Sequence, residues 1–403
     1  MERKEKSVNP WIKNGKWLIP LGLLCLLFLL TGCKEQGQEK ETGAAAGLED
    51  RKAQISSELQ YEGSVKLSYA ENFSIDHYQG GYSLLSVSNG GQYLVVPEGK
   101  TAPGDLDQGI CVLQQPLTDI YLVATAAMDM FCELEALASI RFSSQKAENW
   151  SRKEAQEAME QGEILYAGKY SMPDYELIVS GGCSLAVENN MISHSPEVIE
   201  KLESFNIPVF IDFSSYESHP LGRVEWIKVY GALLAKEEEA EELFDRQLQI
   251  LQRVTQEEGT EKTVAFFFIT TNGMVNVRSP VDYVPKMIEL AGGEYVFSHL
   301  SAGDGNRSSI TMTMEEFYEG AREADYLIYN STIDKELSSV EELLAKEKML
   351  GDFKAVKEGN VWCTTRDLYQ QSMSIGGMIE DFHRMLSLEE SDKTMQFLYR
   401  LTD

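Results

Sequence analysis

The stretch from Ser214 to Glu258 reads SSYESHPLGRVEWIKVYGALLAKEEEAEELFDRQLQILQRVTQEE. After Pro220 it contains no proline, and between Gly231 and Gly259 no glycine. Apolar residues recur at Ile227, Tyr230, Leu234, Ala240, Leu243, Phe244, Leu248, Leu251 and Val254, in steps of mostly three and four. That is the period of an amphipathic helix. Pro220 suits the first helical turn, and Gly259 suits the residue after the last. The spacing therefore predicts one helix over 220–258, with a length on the order of 50 Å at ~1.5 Å per residue. Strand and helix patterns lie on both sides of it, so the expected fold is α/β. Two Rossmann-like lobes would be joined by one long α-helix, with a ligand cleft between them.

Upstream, Tyr61–Gly99 alternates like strands and is split by Gly80-Gly81 and by Asn89-Gly90-Gly91, a hairpin signal. A strand at Ile120–Ala124 leads into a helix near Met128–Ala138. Arg141–Trp150 reads as irregular, Lys153–Gln161 as helix, and Glu176–Val179 as a buried strand ending in Ser180-Gly181-Gly182. Ser195-Pro196 opens a helix to Phe205, and Ile207–Phe213 is a further strand. Downstream, Thr263–Ile269 (TVAFFFI) is a continuous apolar run, as in a strand covered on both faces. Met274–Arg278, Asp325–Tyr329 and Val361–Thr364 read as strands. Tyr283–Ala291, closed by Gly292-Gly293, and the stretches from Met314, Val340 and Ile375 read as helices. The expected boundaries are a first lobe over 61–219, the linking helix over 220–258 and a second lobe over 259–403.

The chain has 403 residues and a net charge of −28. Such a charge repels the phosphates of nucleic acid, so no nucleic-acid partner is expected. At the N-terminus, Lys4, Lys6, Lys13 and Lys16 precede an apolar run from Leu18 to Leu30. That run is short for a membrane span and ends at small residues, as secretory signals do. Residues 1–32 carry five Lys/Arg and two Asp/Glu, so their removal takes the charge from −28 to −31. Lys34 to about Gln60 is polar and aperiodic, which gives a flexible tether over 33–60. Cys111, Cys132, Cys183 and Cys363 show no CxxC spacing and leave open one disulfide or buried free thiols. No metal site is expected from them.

Ligands of open α/β sheets bind at the carboxyl ends of strands. Those ends carry hydroxyls, glycines, aromatics and a few arginines, without an acid–base pair. No nucleophile elbow, phosphate loop or metal-binding helix is present, so an enzyme is not expected and no cofactor is implied. The candidate ligand residues are Arg278, Arg366, Tyr216, Tyr283 and Tyr369. Arginine offers a planar fork to anionic oxygens, and tyrosine offers stacking area with one hydroxyl. No two of the five histidines stand at helical ligand spacing.

Several stretches resemble one family. Leu30-Thr31-Gly32-Cys33 resembles a bacterial lipobox, in which the cysteine is acylated. Pro173-Asp174-Tyr175-Glu176-Leu177-Ile178, Trp226–Phe244, Leu290-Ala291-Gly292-Gly293, Thr313-Met314-Glu315-Glu316 and Phe353–Val361 are similar, in that order, to segments of ABC-transporter substrate-binding lipoproteins. The similar group is the helix-linked one that captures iron–siderophore complexes, haem and cobalamin. The resemblance spans roughly residues 105–390, and the Tyr61–Gly99 segment is longer than that family's lead-in. It implies an extracytoplasmic binding component anchored by Cys33 at the outer face of the cytoplasmic membrane. Its partners would be the lipid bilayer, an ABC permease with its ATPase subunits, and a small-molecule chelate. It also implies permease docking through Glu176 and Glu315, one on each lobe. The competing expectations are a receptor for bare zinc or manganese and an extracytoplasmic sensor or enzyme on the same scaffold.

Overall fold

The computed structural model describes residues 54–257, 259–301, 308–387 and 395–403. The signal-like segment 1–32 and Cys33 lie outside them. The first strands are β1 (Tyr61–Ser64), β2 (Phe73–Tyr78), β3 (Tyr82–Val87), β4 (Gly91–Val96) and β5 (Ile110–Gln114). They form a sheet of their own in that order, antiparallel except for the parallel pair β4–β5. Gly80 and Gly81 take φ of +91° and +84° between β2 and β3, a tight turn that glycine permits without strain. Both faces of this sheet are covered. Phe73, Ile75, Leu85, Val87 and Tyr93 join the main core, while Tyr78, Leu84, Leu94 and Val96 pack with Ile55 and Leu59. Those last two contacts shorten the expected tether, because Ile55 and Leu59 are already docked.

The first lobe holds β6 (Ile120–Leu122), β7 (Ile140–Ser143), β8 (Leu165–Tyr166), the small hairpin β9 (Gly168–Lys169) and β10 (Met172–Pro173), β11 (Ala186–Asn189) and β12 (Val209–Asp212). Its main sheet runs β12-β11-β6-β7-β8 and is parallel throughout. Helices α1 (Ala127–Glu133), α2 (Lys153–Glu160), α3 (Tyr175–Ser180) and α4 (Pro196–Ser204) connect the strands. The residues expected to be irregular thus begin with strand β7. The expected strand Glu176–Val179 is helix α3, because Asp174 caps it by accepting the Leu177 amide at 3.0 Å. Ile178 is buried and Val179 is 41% exposed, so this β-branched pair serves one helix face and not a covered strand.

The long helix is not continuous. It forms α5 (Pro220–Glu225), α6 (Ile227–Leu234) and α7 (Glu237–Val254). The chain turns at Ala235, which sits in the left-handed region at φ 55°, ψ 46°. It then folds back on itself. Lys228 reaches Glu241 at 2.9 Å, and a Cβ on Gly231 would lie 2.6 Å from that of Ala240. The expected strut is therefore a helical hairpin, with Gly231 as the close crossing. The apolar period could not show this, since both arms bury the same kind of stripe.

The hairpin is fastened to the first sheet by two buried carboxylates. Glu225 accepts backbone N–H groups of Ser68, Tyr69 and Ala70 at 2.8–3.1 Å. Glu217 accepts those of Glu71 and Asn72 and the Trp226 indole N–H, each at 3.0 Å. Beyond the hairpin, β13 (Lys262–Ile269), β14 (Val275–Arg278), β15 (Gly293–Tyr295), β16 (Ser309–Met312), β17 (Tyr326–Tyr329), β18 (Val361–Thr364) and β19 (Leu398–Arg400) build the second lobe. The order is β16-β14-β13-β17-β18-β19, with β15 also on β13. The centre is parallel, while β14, β16 and β19 are antiparallel. Its helices are α8 (Tyr283–Leu290), α9 (Met314–Ala321), α10 (Val340–Lys346), α11 (Lys354–Lys357) and α12 (Ile375–Ser387). Thr313 and Glu316 close a capping box on α9. The two-lobe α/β plan stands, preceded by a sheet that the expected first lobe had absorbed.

Candidate functional site

The lobes meet along the loop that follows β18. Gln370 donates to the Asn149 carbonyl at 2.8 Å and accepts the Ser151 amide at 2.9 Å. Ser372 donates to the Ala126 carbonyl at 2.7 Å, and the Met373 amide donates to Asp129 at 2.8 Å. Arg152 also binds Asp129, at 2.6 Å. Burial nonetheless pushes the Asp129 carboxyl up, against the pull of the Met373 amide and of Arg152.

Beside this seam stands a ladder of arginines and tyrosines. The Arg223 guanidinium lies over the Tyr283 ring at 3.7 Å from its centroid. The rings of Tyr283 and Tyr369 are 6.4 Å apart, and Arg278 lies 5.4 Å from the Tyr369 centroid. Arg223 donates to the Ser215 carbonyl at 2.5 Å, and its Nε is buried without a hydrogen-bond partner among the described residues. Arg223, Tyr283, Tyr369 and Ser372 line a cavity of about 20 Å³ between the lobes, with Ala126 and Ser214 of the first lobe. That is room for about one water. Burial raises the phenols of Tyr283 and Tyr369, so at neutral pH both are neutral O–H donors.

Arg278 stands at the end of β14 and Tyr283 at the start of α8, and each lies against Tyr369. The fork of Arg278, however, is taken: Nε bonds to Asp282 at 2.9 Å and Nη2 to the other carboxylate oxygen. Asp282 is also the N-cap of α8, through the Val284 amide. Arg278 is therefore held beneath Tyr369 by its own helix cap. Arg223 is the freer arginine. The sequence reading passed over it because it stands inside the helical run; the available signal is a cation in the opening turns of a helix, where the dipole favours anions.

The first-lobe wall of the cleft is a second cavity, of about 250 Å³, at the carboxyl ends of β6, β7, β8 and β11. Thr125, Lys146, Asn149, Tyr166, Lys169 and Tyr170 are among its lining residues. Glu188 on β11 pairs in register one step beyond Val187–Leu122, which sets it beside Val123 of the wall. Glu188 is fully buried, and among the described residues neither carboxylate oxygen has a hydrogen-bond partner. Burial alone raises its pKa to about 8. A larger cavity, about 750 Å³, is confined to the second lobe, and its only cation, Lys286, is paired with Glu289 at 2.9 Å.

The other expected residues are spread about the cleft. Tyr216 is 44% exposed and accepts the Asn190 amide at 2.9 Å, close to Ser214 but outside the arginine–tyrosine ladder. Arg366 is exposed on the seam loop, where its amide donates to Glu336 at 2.9 Å. Glu176 and Glu315 are exposed in the first turns of α3 and α9, one on each lobe. Ser180-Gly181-Gly182 ends a helix and not a strand, so it does not reach a sheet end. His219 caps α5 through the Leu221 amide and stacks on Tyr69 at 4.4 Å, a structural role. Cys111, Cys132, Cys183 and Cys363 are free thiols. Among the described residues no three His, Cys, Asp or Glu side chains converge to hold a metal ion.

Two mixed or parallel α/β lobes facing each other across such a seam are the fold of ABC-transporter substrate-binding proteins. The sequence profile described as periplasmic binding protein matches residues 126–368, and the chain belongs to that family. An uncharacterized lipoprotein of Methanocaldococcus jannaschii is 25% identical over 399 residues, covering 96% of this chain and 99% of its own length. A periplasmic haem-binding protein of Vibrio cholerae superposes with a TM-score of 0.54 at 15% identity, over 68% of this chain and 98% of its own. A petrobactin-binding protein of Bacillus subtilis gives 0.52 at 13%, over 68% and 92%. The sheet β1–β5 lies outside the family-matched residues but within a chain that the archaeal relative spans almost whole.

Proposed function

We propose that this chain is the extracytoplasmic receptor of an ABC importer, captures an iron–siderophore, haem or cobalamin-like chelate in the interlobe cleft, and delivers it to the permease. Its solute-binding role follows from the family; the chelate is our reading. The observation that carries it is Arg223, stacked on Tyr283 with a buried N–H left unpartnered at the interlobe cavity. A buried donor without a partner is costly, and a ligand oxygen would satisfy it. Tyr283 and Tyr369 supply aromatic walls, Arg278 supports Tyr369, and Tyr216 and Arg366 border the entrance. A chelate is far larger than about 20 Å³, so it enters with the lobes parted and the Gln370 and Ser372 contacts broken. Cys33 carries the lipid anchor in this reading, and Glu176 and Glu315 meet the permease. That pair guides encounter and register more than it adds affinity.

A bare zinc or manganese receptor needs several converging nitrogen or oxygen ligands, and the ladder offers cations and neutral phenols instead. Native mass spectrometry of the gently purified protein separates the readings. A co-purifying chelate supports ours. A bare metal, or an empty protein with hydrolase activity, refutes it.

A further inference from the structure

We propose that the first-lobe cavity is an anion-accepting subsite of the same cleft, in which Lys146 and Lys169 meet a negatively charged arm of the ligand, so that the captured solute is an anionic chelate. This rests on the chelate reading above and adds the sign of the charge and the residues that select it.

The composition of this wall runs against that of the chain as a whole. The chain has 64 acidic and 36 basic side chains, yet the cavity lining contains two lysines and no Asp or Glu. Both lysines are exposed, and among the described residues neither has an ion-pair partner. An anion approaching this protein meets a repulsive field, so it needs cations concentrated where it docks. A neutral solute gains little from such a pair, and a cationic one is repelled by it.

The position fits a ligand arm. The cavity opens at the carboxyl ends of the first-lobe strands, where α/β sheets take ligands. Its wall residue Asn149 is bonded to Gln370, the residue after Tyr369. The lysine cavity and the arginine–tyrosine ladder therefore meet at one loop. Tyr166 and Tyr170 add two phenol rings to the wall. A volume of about 250 Å³ accepts one arm of a chelate and not its whole body.

The test is a titration of the full mature chain, followed by tryptophan fluorescence; Trp150 is buried beside Asn149. The probes are a ferric tris-catecholate and haemin, both anionic, and a neutral ferric tris-hydroxamate and cobalamin. We expect an anionic probe to bind and both neutral probes to bind at least tenfold more weakly. The double variant Lys146→Gln/Lys169→Gln should lose at least tenfold in affinity for the anionic probe. Its affinity should also fall less steeply with added salt. Both side chains are exposed, and an unchanged unfolding midpoint certifies the fold. If a neutral probe binds as tightly as the anionic ones, or the double variant binds like wild type, the inference falls while the chelate reading stands. If no probe binds, the chelate reading falls and takes the inference with it.

Discussion

Replacing Glu188 by glutamine should stabilise this protein, increasingly so as pH rises from 4.5 to about 8. Glu188 is fully buried, and neither of its oxygens is hydrogen-bonded among the described residues. Its folded pKa is raised from 4.5 to about 8 by burial alone. Below pH 4.5 both folded and unfolded states carry the proton, and the group has no effect. Between 4.5 and about 8 the unfolded chain loses its proton while the folded chain keeps it. Stability therefore falls as pH rises through that window and levels off above it, the reverse of a salt-bridged carboxylate. At about 1.4 kcal/mol per pH unit, the gap between 4.5 and about 8 sets a ceiling of about 5 kcal/mol. Glutamine is neutral throughout and of nearly the same shape. Urea unfolding followed by circular dichroism should give nearly equal midpoints for Glu188→Gln and wild type at about pH 4, where the unfolded group is still mostly protonated. At pH 8.5 the variant should be more stable by roughly 2–5 kcal/mol. An offset that is the same at both pH values would mean that Glu188 is not held protonated, and the argument from burial would be refuted.

Glu225→Ala orphans the amides of Ser68, Tyr69 and Ala70 and strips Lys228 of a partner at 3.3 Å; denaturant unfolding should show a loss of about 3–5 kcal/mol, with faster hydrogen exchange at those amides. Glu176→Ala/Glu315→Ala removes two exposed carboxylates from opposite lobes; solute binding should be retained while uptake in cells fails, and unchanged uptake would remove both from the docking surface. Cys33→Ala should accumulate unprocessed precursor without lipid label, since stable anchoring needs two or more acyl chains; normal processing and labelling would discard the anchor.

Much of the second lobe was legible because its signals are local. The run Thr263–Ile269 is β13, Val361–Thr364 is β18, and Thr313 caps α9 with Glu316 as its partner. The helix break at Ala235 was not, because a left-handed alanine carries no composition signal and both arms of the hairpin share the apolar period. The strand expected at Glu176–Val179 failed for a related reason: its β-branched residues outweighed the cap at Asp174. Arg278, Tyr283 and Tyr369 were singled out near strand ends and helix starts, and their side chains lie side by side. That Asp282 would occupy the Arg278 fork depends on the rotamers of two residues four apart, which the spacing allows but does not dictate. Arg223 reaches Tyr283, and Lys146 and Lys169 reach one cavity, only through the tertiary fold.

Arg223 is the residue on which ligand capture in this cleft depends, and the most direct measurement is its removal. Wild type and Arg223→Ala should be titrated with the same four probes and followed by tryptophan fluorescence, with unfolding midpoints as the control for the fold. A lost charge-assisted hydrogen bond is worth about 1.5–3 kcal/mol, so at least one probe should bind wild type and bind Arg223→Ala at least tenfold more weakly. Equal affinity for the two proteins would contradict the placement of the site in this cleft.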